Sequence, residues 1–64
     1  MNIYLEQQNK NIKKKFNGSA KKLLTELGVS AQAVLIIKNG ELVTEDELLK
    51  DKDEVKLLSV VSGG

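Results

Sequence analysis

One amphipathic segment constrains the fold of this 64-residue chain more than any other feature. Four apolar residues recur at positions i, i+3, i+4 and i+7, which places them on one face of a helix. They are Ala20, Leu23, Leu24 and Leu27. Ser19 is suited to cap the first turn with its hydroxyl oxygen, and Gly28 is suited to a left-handed C-terminal cap. The sequence therefore predicts one main helix, against which the other apolar segments must pack.

The other apolar segments have the patterns of β-strands. Two N-terminal segments alternate apolar and polar residues, and together they predict a β-hairpin. The segment of residues 33–38, which is apolar up to its final Lys38 and rich in Val and Ile, predicts a buried central strand. The predicted strands are residues 2–7, 12–16, 33–38, 41–43 and 54–61.

Short turn sequences separate the later strands. Asn39-Gly40 is a strong two-residue hairpin signal, because both residues tolerate positive φ angles. Thr44 is predicted to cap one turn of helix over residues 45–49, whose acidic residues would lie near the positive end of the helix dipole. Residues 51–53, with the sequence Asp-Lys-Asp, predict a turn before the last strand.

This order of elements predicts the α+β class, with one helix covering one face of a mixed sheet. The chain between the first and last strands is long enough for a crossover, so these two strands can pair in parallel at the centre of the sheet. We expect one domain over residues 1–61. The tail Ser62-Gly63-Gly64 offers no side chain for packing beyond one hydroxyl, and we expect it to be flexible.

Composition excludes several kinds of site. The chain has no Cys and no His, which removes disulfides, thiol nucleophiles, the commonest metal ligand and the commonest general base. It has no phosphate-binding glycine-rich loop, and a domain this small has a thin core with little room for a pocket. We therefore expect no catalytic residues, no metal site and no cofactor.

No segment predicts a membrane span or a secretion signal. The longest apolar run, residues 33–37, is far shorter than the roughly 20 residues that a membrane-spanning helix needs. The N-terminus lacks the basic start, apolar core and small-residue cleavage site of a signal peptide. The expected location is the cytoplasm.

Charge is distributed unevenly, although the formal net charge is only +1. Lys13, Lys14 and Lys15 form a basic run without the aromatic neighbours or the large basic field of a nucleic-acid surface. We interpret it as a solvated strand edge that lysines protect from mispairing, and we expect no direct nucleic-acid binding. The acidic residues of the second half lack the spacing of a calcium loop and are interpreted as a solvated face.

The end of the chain carries the strongest candidate for function. Gly63-Gly64 follows an apolar strand with only Ser62 between them. Glycine has no Cβ, so such a tail can enter a channel that other residues would block. The terminal carboxylate could then be adenylated by a partner enzyme, because a free carboxylate resists nucleophilic attack. A frayed terminus without a role is the alternative interpretation.

Leu58 and Val60 are predicted to form a docking surface for that partner. If Val55 and Leu57 face the helix, then Leu58 and Val60 fall on the opposite face of the sheet. Exposed apolar residues rimmed by Lys56 would suit a protein partner. Incidental apolar exposure on a thin domain is the alternative.

Four motifs in the second half of the chain carry a family resemblance. They are the strand Val34-Leu35-Ile36-Ile37, the turn Asn39-Gly40 with Glu41-Leu42-Val43, the segment Leu49-Lys50-Asp51-Lys52-Asp53-Glu54-Val55, and the ending Val60-Val61-Ser62-Gly63-Gly64. With these motifs the chain resembles the ThiS/MoaD family of ubiquitin-like sulfur carriers, and its turn and ending also resemble small archaeal ubiquitin-like modifiers. The N-terminal half matches in pattern alone. The family often has Gly-Asp before the last strand, where this chain has Lys52-Asp53, which affects the turn type.

The resemblance implies a β-grasp fold, with a mixed sheet of four to five strands covered on one face by one main helix. It also implies a carrier acted on by enzymes. A ubiquitin-activating-type adenylyltransferase would adenylate Gly64, and a sulfur donor protein would supply the sulfur of a C-terminal thiocarboxylate. Gly63 would meet the steric requirement of the enzyme channel. The acceptor would be a synthase of thiamine or molybdopterin biosynthesis, or a tRNA-thiolation enzyme.

Two alternatives to sulfur transfer stay open. A ubiquitin-like modifier would use the same activated Gly64 to form isopeptide bonds with lysines of target proteins. An interaction module with an idle tail would need neither Gly63 nor Gly64. We expect a monomer when the protein is free, because its tail must enter a partner.

Overall fold

The computed structural model describes residues 1–60. The predicted end of the last strand at Val61 and the predicted tail Ser62-Gly63-Gly64 lie outside the described residues. Seven strands and one α-helix are present in the described part. The strands are β1 (Asn2–Leu5), β2 (Lys10–Lys13), β3 (Gly18–Ser19), β4 (Val34–Lys38), β5 (Glu41–Val43), β6 (Leu48–Leu49) and β7 (Glu54–Ser59), and the helix is α1 (Ala20–Leu27).

Five strands form the main sheet in the order β2-β1-β7-β4-β5. The last strand, β7, is central: it pairs in parallel with β1 and antiparallel with β4. The parallel pairing of the first and last strands is therefore confirmed. So is the α+β, β-grasp architecture of one mixed sheet covered by one helix. A separate two-stranded sheet joins β3 to β6.

The helix begins and ends where the sequence predicts. The Ser19 hydroxyl accepts a hydrogen bond from the Lys22 N–H at 3.3 Å. Gly28 adopts the left-handed conformation with φ of 72°. The Gly28 N–H donates to the Thr25 carbonyl and the Val29 N–H donates to the Leu24 carbonyl, which is the pattern of a Schellman cap. Both helix ends thus satisfy backbone groups that would otherwise lack partners.

The core lies between α1 and one face of the sheet. Ten hydrophobic residues are buried there: Ile3, Phe16, Ala20, Leu23, Leu24, Val34, Ile36, Leu49, Val55 and Leu57. Alternate residues of the sheet strands contribute to this core, as period two requires. One eight-residue helix can cover only one face, so the opposite face, hereafter the open face, is left to the remaining strand residues.

The run over residues 33–38 is buried on one face only, which corrects the prediction of a fully buried strand. Val34 and Ile36 point into the core, whereas Leu35 between them keeps 46% of its surface exposed. The strand β4 has neighbours on both sides within the sheet, but within residues 1–60 no second layer covers its other face. The run is continuously apolar because its residues on the open face are apolar as well, and not because both faces are buried.

The predicted helical turn over residues 45–49 is wrong. The Ala20 and Lys21 N–H groups donate to the carbonyls of Glu47 and Glu45, both at 2.8 Å, so this segment caps the start of α1 with its backbone. Leu48–Leu49 then forms β6, which carries Leu49 into the core. Residues 45–49 therefore form no helix whose dipole the acidic residues could complement.

The first hairpin is shorter than predicted. The strand β1 ends at Leu5 and is followed by one 3-10 turn, Glu6–Gln8, while β2 ends at Lys13 instead of residue 16. Phe16 leaves the ladder because its N–H donates to the Asp51 carboxylate at 3.2 Å and its ring is buried in the core. The strand β7 also ends earlier than predicted, at Ser59.

Two carboxylates tie the last turn to distant segments. The Asp51 carboxylate accepts hydrogen bonds from the N-terminal ammonium of Met1 and from the Phe16 N–H, which lower its pKa. The Lys50 N–H and the Asn39 side-chain amide donate to Asp53 and lower its pKa likewise. Both carboxylates therefore favour the folded state in their charged form.

We expect Leu23→Ala to lower the free energy of unfolding by about 2–5 kcal/mol, because it opens a cavity at a fully buried position. Urea unfolding followed by circular dichroism measures this change. Leu48→Ala is the matched control: Leu48 is 68% exposed, so its truncation should change stability by less than about 0.5 kcal/mol. Equal losses in the two variants would contradict the assigned core.

We also expect stability to fall in acid through Asp51 and Asp53. Their pKa values are lower in the folded chain than the ordinary value of about 3.9, so the unfolded chain binds more protons as pH drops. Their contribution is complete above that ordinary value and is lost as pH falls through the lower folded values. Urea midpoints measured across this range should depend less on pH in Asp53→Asn than in the parent chain.

The control for the acid prediction is Asp46→Asn, since the Asp46 carboxylate makes no hydrogen bond within residues 1–60. This variant should keep the pH dependence of the parent. An unchanged acid slope in Asp53→Asn would show that Asp53 does not stabilise the fold through its charge.

Candidate functional site

The central strand, β7, ends at one end of the sheet, and the last described residue lies there. Further hydrogen bonds hold the chain at the last ladder residue, Ser59, and at the residue after it. The Ser59 N–H donates to the Glu6 carboxylate at 2.8 Å, and the Val60 N–H donates to the Ala33 carbonyl at 2.9 Å. The backbone is therefore fixed as far as Val60, the last described residue.

The two predicted docking residues lie at this end. Val55 and Leu57 are buried under the helix, at 1% and 2% exposure. Strand alternation therefore turns Leu58 to the open face, where it is half-buried opposite Leu35. Val60 follows with the same parity and is 41% exposed.

Further apolar residues join Leu58 and Val60 on the open face. The register pairs Leu35 with Leu58 and Ile37 with Leu42, so these side chains share that face. Leu35 is 46% and Leu42 is 62% exposed. Together they form what we call the open-face patch, which comprises Leu35, Ile37, Leu42, Leu58 and Val60. An exposed apolar group of this kind is typical of a protein-binding surface.

Sequence reasoning missed three members of this patch. Leu35, Ile37 and Leu42 were assigned to strands, but the apolar run was interpreted as buried on both faces. The signal that could have identified them is the Asn39-Gly40 turn. A two-residue loop fixes the register of its hairpin, so it places Leu42 opposite Ile37 and on the same face.

The other half of the open face is polar. Lys56 lies between Tyr4 and Ile37 in the register, and Lys13 lies across from Asn2 on the edge strand β2. The Tyr4 hydroxyl donates to the Asn9 side-chain oxygen at 2.9 Å. The open face thus combines an apolar patch with a polar flank, the composition of an interface core beside a polar rim.

A shallow recess lies under the end of the central strand. It encloses at most about 230 Å³, and it is lined by Leu5, Gln7, Gln8, Val29, Val34 and Leu57. Cofactor and ligand pockets usually enclose about 300 Å³ or more. Its lining has neither a carboxylate nor a nucleophile, so this recess offers no chemistry of its own.

The described residues lack two further kinds of feature, a metal site and a membrane-spanning helix. Within residues 1–60, no three acidic, His or Cys side chains converge in a way that could hold a metal ion. In the same part of the chain, no helix is long and apolar enough to cross a bilayer. Gly64, Gly63 and Ser62 lie outside the described residues, and their roles stay predictions, as does docking at Leu58 and Val60.

Comparisons with known proteins identify the family. The model of the ThiS family matches residues 4–64. The sulfur carrier protein TtuB of Thermus thermophilus is 30% identical over 57 residues, which are 89% of this chain and 88% of the relative. A thiamine biosynthesis protein from Geobacter metallireducens, solved by NMR, is similar with a TM-score of 0.60 and 26% identity, over 100% of this chain and 88% of that chain. This chain belongs to the ThiS family.

Proposed function

We propose that this protein is a sulfur carrier whose C-terminal Gly64 carboxylate becomes a thiocarboxylate. Members of its family are carrier proteins on which enzymes act, not enzymes themselves. The relatives named for sulfur carriage and thiamine biosynthesis support this use. The observation that carries the proposal is the position of β7, which leaves the sheet centre beside the open-face patch.

The chemistry needs two steps, the first at the phosphorus of ATP and the second at the carbonyl carbon of Gly64. The Gly64 carboxylate attacks the α-phosphate of ATP, and pyrophosphate leaves. Sulfide then attacks the carbonyl carbon of the acyl adenylate, and AMP leaves with the electron pair of the C–O bond. If a protein persulfide is the donor, the first product is an acyl disulfide, and a thiol of the donor must cleave its S–S bond, forming a disulfide, to release the thiocarboxylate. The adenylyltransferase supplies the nucleotide site, since the recess of this chain is too small for ATP. Reliance on cellular ATP fits a reaction in the cytoplasm.

Geometry relates the docking surface to the reacting carboxylate. Four residues follow Val60, and four residues span at most about 14 Å when fully extended. An activating enzyme that binds the open-face patch must therefore have its adenylation site within that reach. Gly63 and Gly64 allow the chain to pass a narrow entrance, because neither carries a Cβ atom.

We expect a mass gain equal to the replacement of one oxygen by sulfur when the protein is incubated with ATP, a sulfide source and an activating enzyme of the family. Intact-protein mass spectrometry measures the gain directly. A version lacking Gly64 should show no gain and should keep its circular dichroism spectrum, since the described core ends before that residue.

The outcomes of this reaction separate the proposals. No mass change with an enzyme that activates another family member would contradict the sulfur-carrier proposal. Masses of adducts between Gly64 and protein lysines would instead indicate the modifier. If neither product appears and the version lacking Gly63-Gly64 keeps its function, the tail is idle.

We expect Val60→Asp to weaken binding to the activating enzyme by about tenfold or more, because it buries a charge at the centre of the interface. Calorimetric titration of the enzyme with the variant measures the affinity. Leu48→Asp is the matched control: Leu48 is 68% exposed but lies on β6, outside the main sheet. Equal affinities for the two variants would exclude the open-face patch as the docking surface.

A further inference from the structure

Two Asn-Gly dipeptides, Asn17-Gly18 and Asn39-Gly40, have opposite environments. Asn-Gly is a chemically labile pair, because glycine leaves its backbone nitrogen open to approach the preceding side chain. We propose that Asn17 is a site of spontaneous deamidation in the folded protein, and that hydrogen bonds protect Asn39 from the same reaction.

The side chain of Asn39 is fixed from two directions. Its Oδ1 accepts from the Glu54 N–H at 2.9 Å, and its Nδ2 donates to the Asp53 carboxylate at 3.0 Å. Its own backbone N–H also donates to the Glu54 carbonyl at 2.8 Å. The Asn39 side-chain carbon must turn toward the Gly40 nitrogen to react, and that motion would break both side-chain bonds.

The side chain of Asn17 has one contact and is exposed. Its Oδ1 accepts from the Asp51 N–H at 3.2 Å, and its Nδ2 has no partner within residues 1–60. The following residue, Gly18, belongs to the two-residue ladder between β3 and β6. A ladder this short opens more readily than the five-stranded sheet, and opening releases the Gly18 backbone for attack.

The labile pair is maintained by the fold itself. Gly18 has φ of 151°, a conformation that side chains disfavour, and a Cβ there would lie 3.2 Å from the Phe16 ring. Another residue at position 18 would therefore have a strained backbone, and the Phe16 ring would have to shift by a few tenths of an ångström. Gly18 therefore makes Asn17 reactive and is also the residue that the local backbone conformation and the neighbouring Phe16 ring favour.

The reaction needs only water and base. The Gly18 nitrogen loses its proton and attacks Cγ of Asn17, the Cγ–Nδ2 bond breaks, and ammonia leaves. Water then opens the five-membered imide at either carbonyl, giving Asp or its isomer with the main chain running through Cγ. Either product adds a negative charge next to Asp51, whose carboxylate holds the Phe16 N–H.

The test compares each site in the folded chain with the same site in the chain unfolded by urea. The protein is held at mildly alkaline pH, digested at intervals, and each Asn-Gly peptide is measured by mass spectrometry. In the folded chain, Asn39 should react at least about tenfold more slowly than in urea, because two hydrogen bonds must break. Asn17 should slow by no more than about threefold.

Two variants sharpen the comparison. Asn17→Ser should abolish the mass change in its peptide and leave Asn39 unaffected. Asp53→Ala removes one of the two bonds that hold the Asn39 side chain, and should speed its reaction several-fold in the folded chain. Circular dichroism verifies that both variants are folded, and the parent chain decides the matter even if one is not. Protection of Asn17 as strong as that of Asn39 would overturn the proposal.

Discussion

In the part of the chain that the structure describes, a single α-helix covers a five-stranded sheet, and most of the structure follows from that constraint. The apolar face of α1, with Leu23 at its centre, buries one face of the sheet. The core between them therefore consists of one layer of side chains from the helix and one from the sheet. The second face must then meet solvent or a partner. The same constraint leaves a recess whose volume is below that of an ordinary cofactor pocket.

Local patterns predicted the elements that depend on local physics. The helix, both of its caps and the Asn39-Gly40 turn were predicted because each depends on residues within a few positions of one another. The prediction of a helical turn after Thr44 was wrong because contacts with distant residues determine the conformation of that segment. Two carbonyls of the segment accept hydrogen bonds from the first N–H groups of α1, and the Leu49 side chain is buried in the core. Long-range contacts of this kind leave no periodic signal in the sequence.

The candidate site was predictable in part for the same reason. Leu58 and Val60 follow from strand parity once Val55 and Leu57 are assigned to the core. Leu35 and Leu42 required knowledge of which strands are neighbours and whether a second layer exists. In the sequence, an apolar run that is buried inside the protein has the same pattern as one that is exposed on its surface. The docking surface of a carrier is therefore the part of its sequence that most resembles an ordinary core.

The position of β7 has a mechanical consequence. Its hydrogen bonds to β1 and β4 run across the strand direction, so a pull on the chain beyond Val60, opposed at the N-terminal end of β1, loads those bonds in shear. Shear strains many bonds at once, whereas peeling an edge strand breaks them one by one. The central strand should therefore resist a pull on this end of the molecule better than an edge strand would.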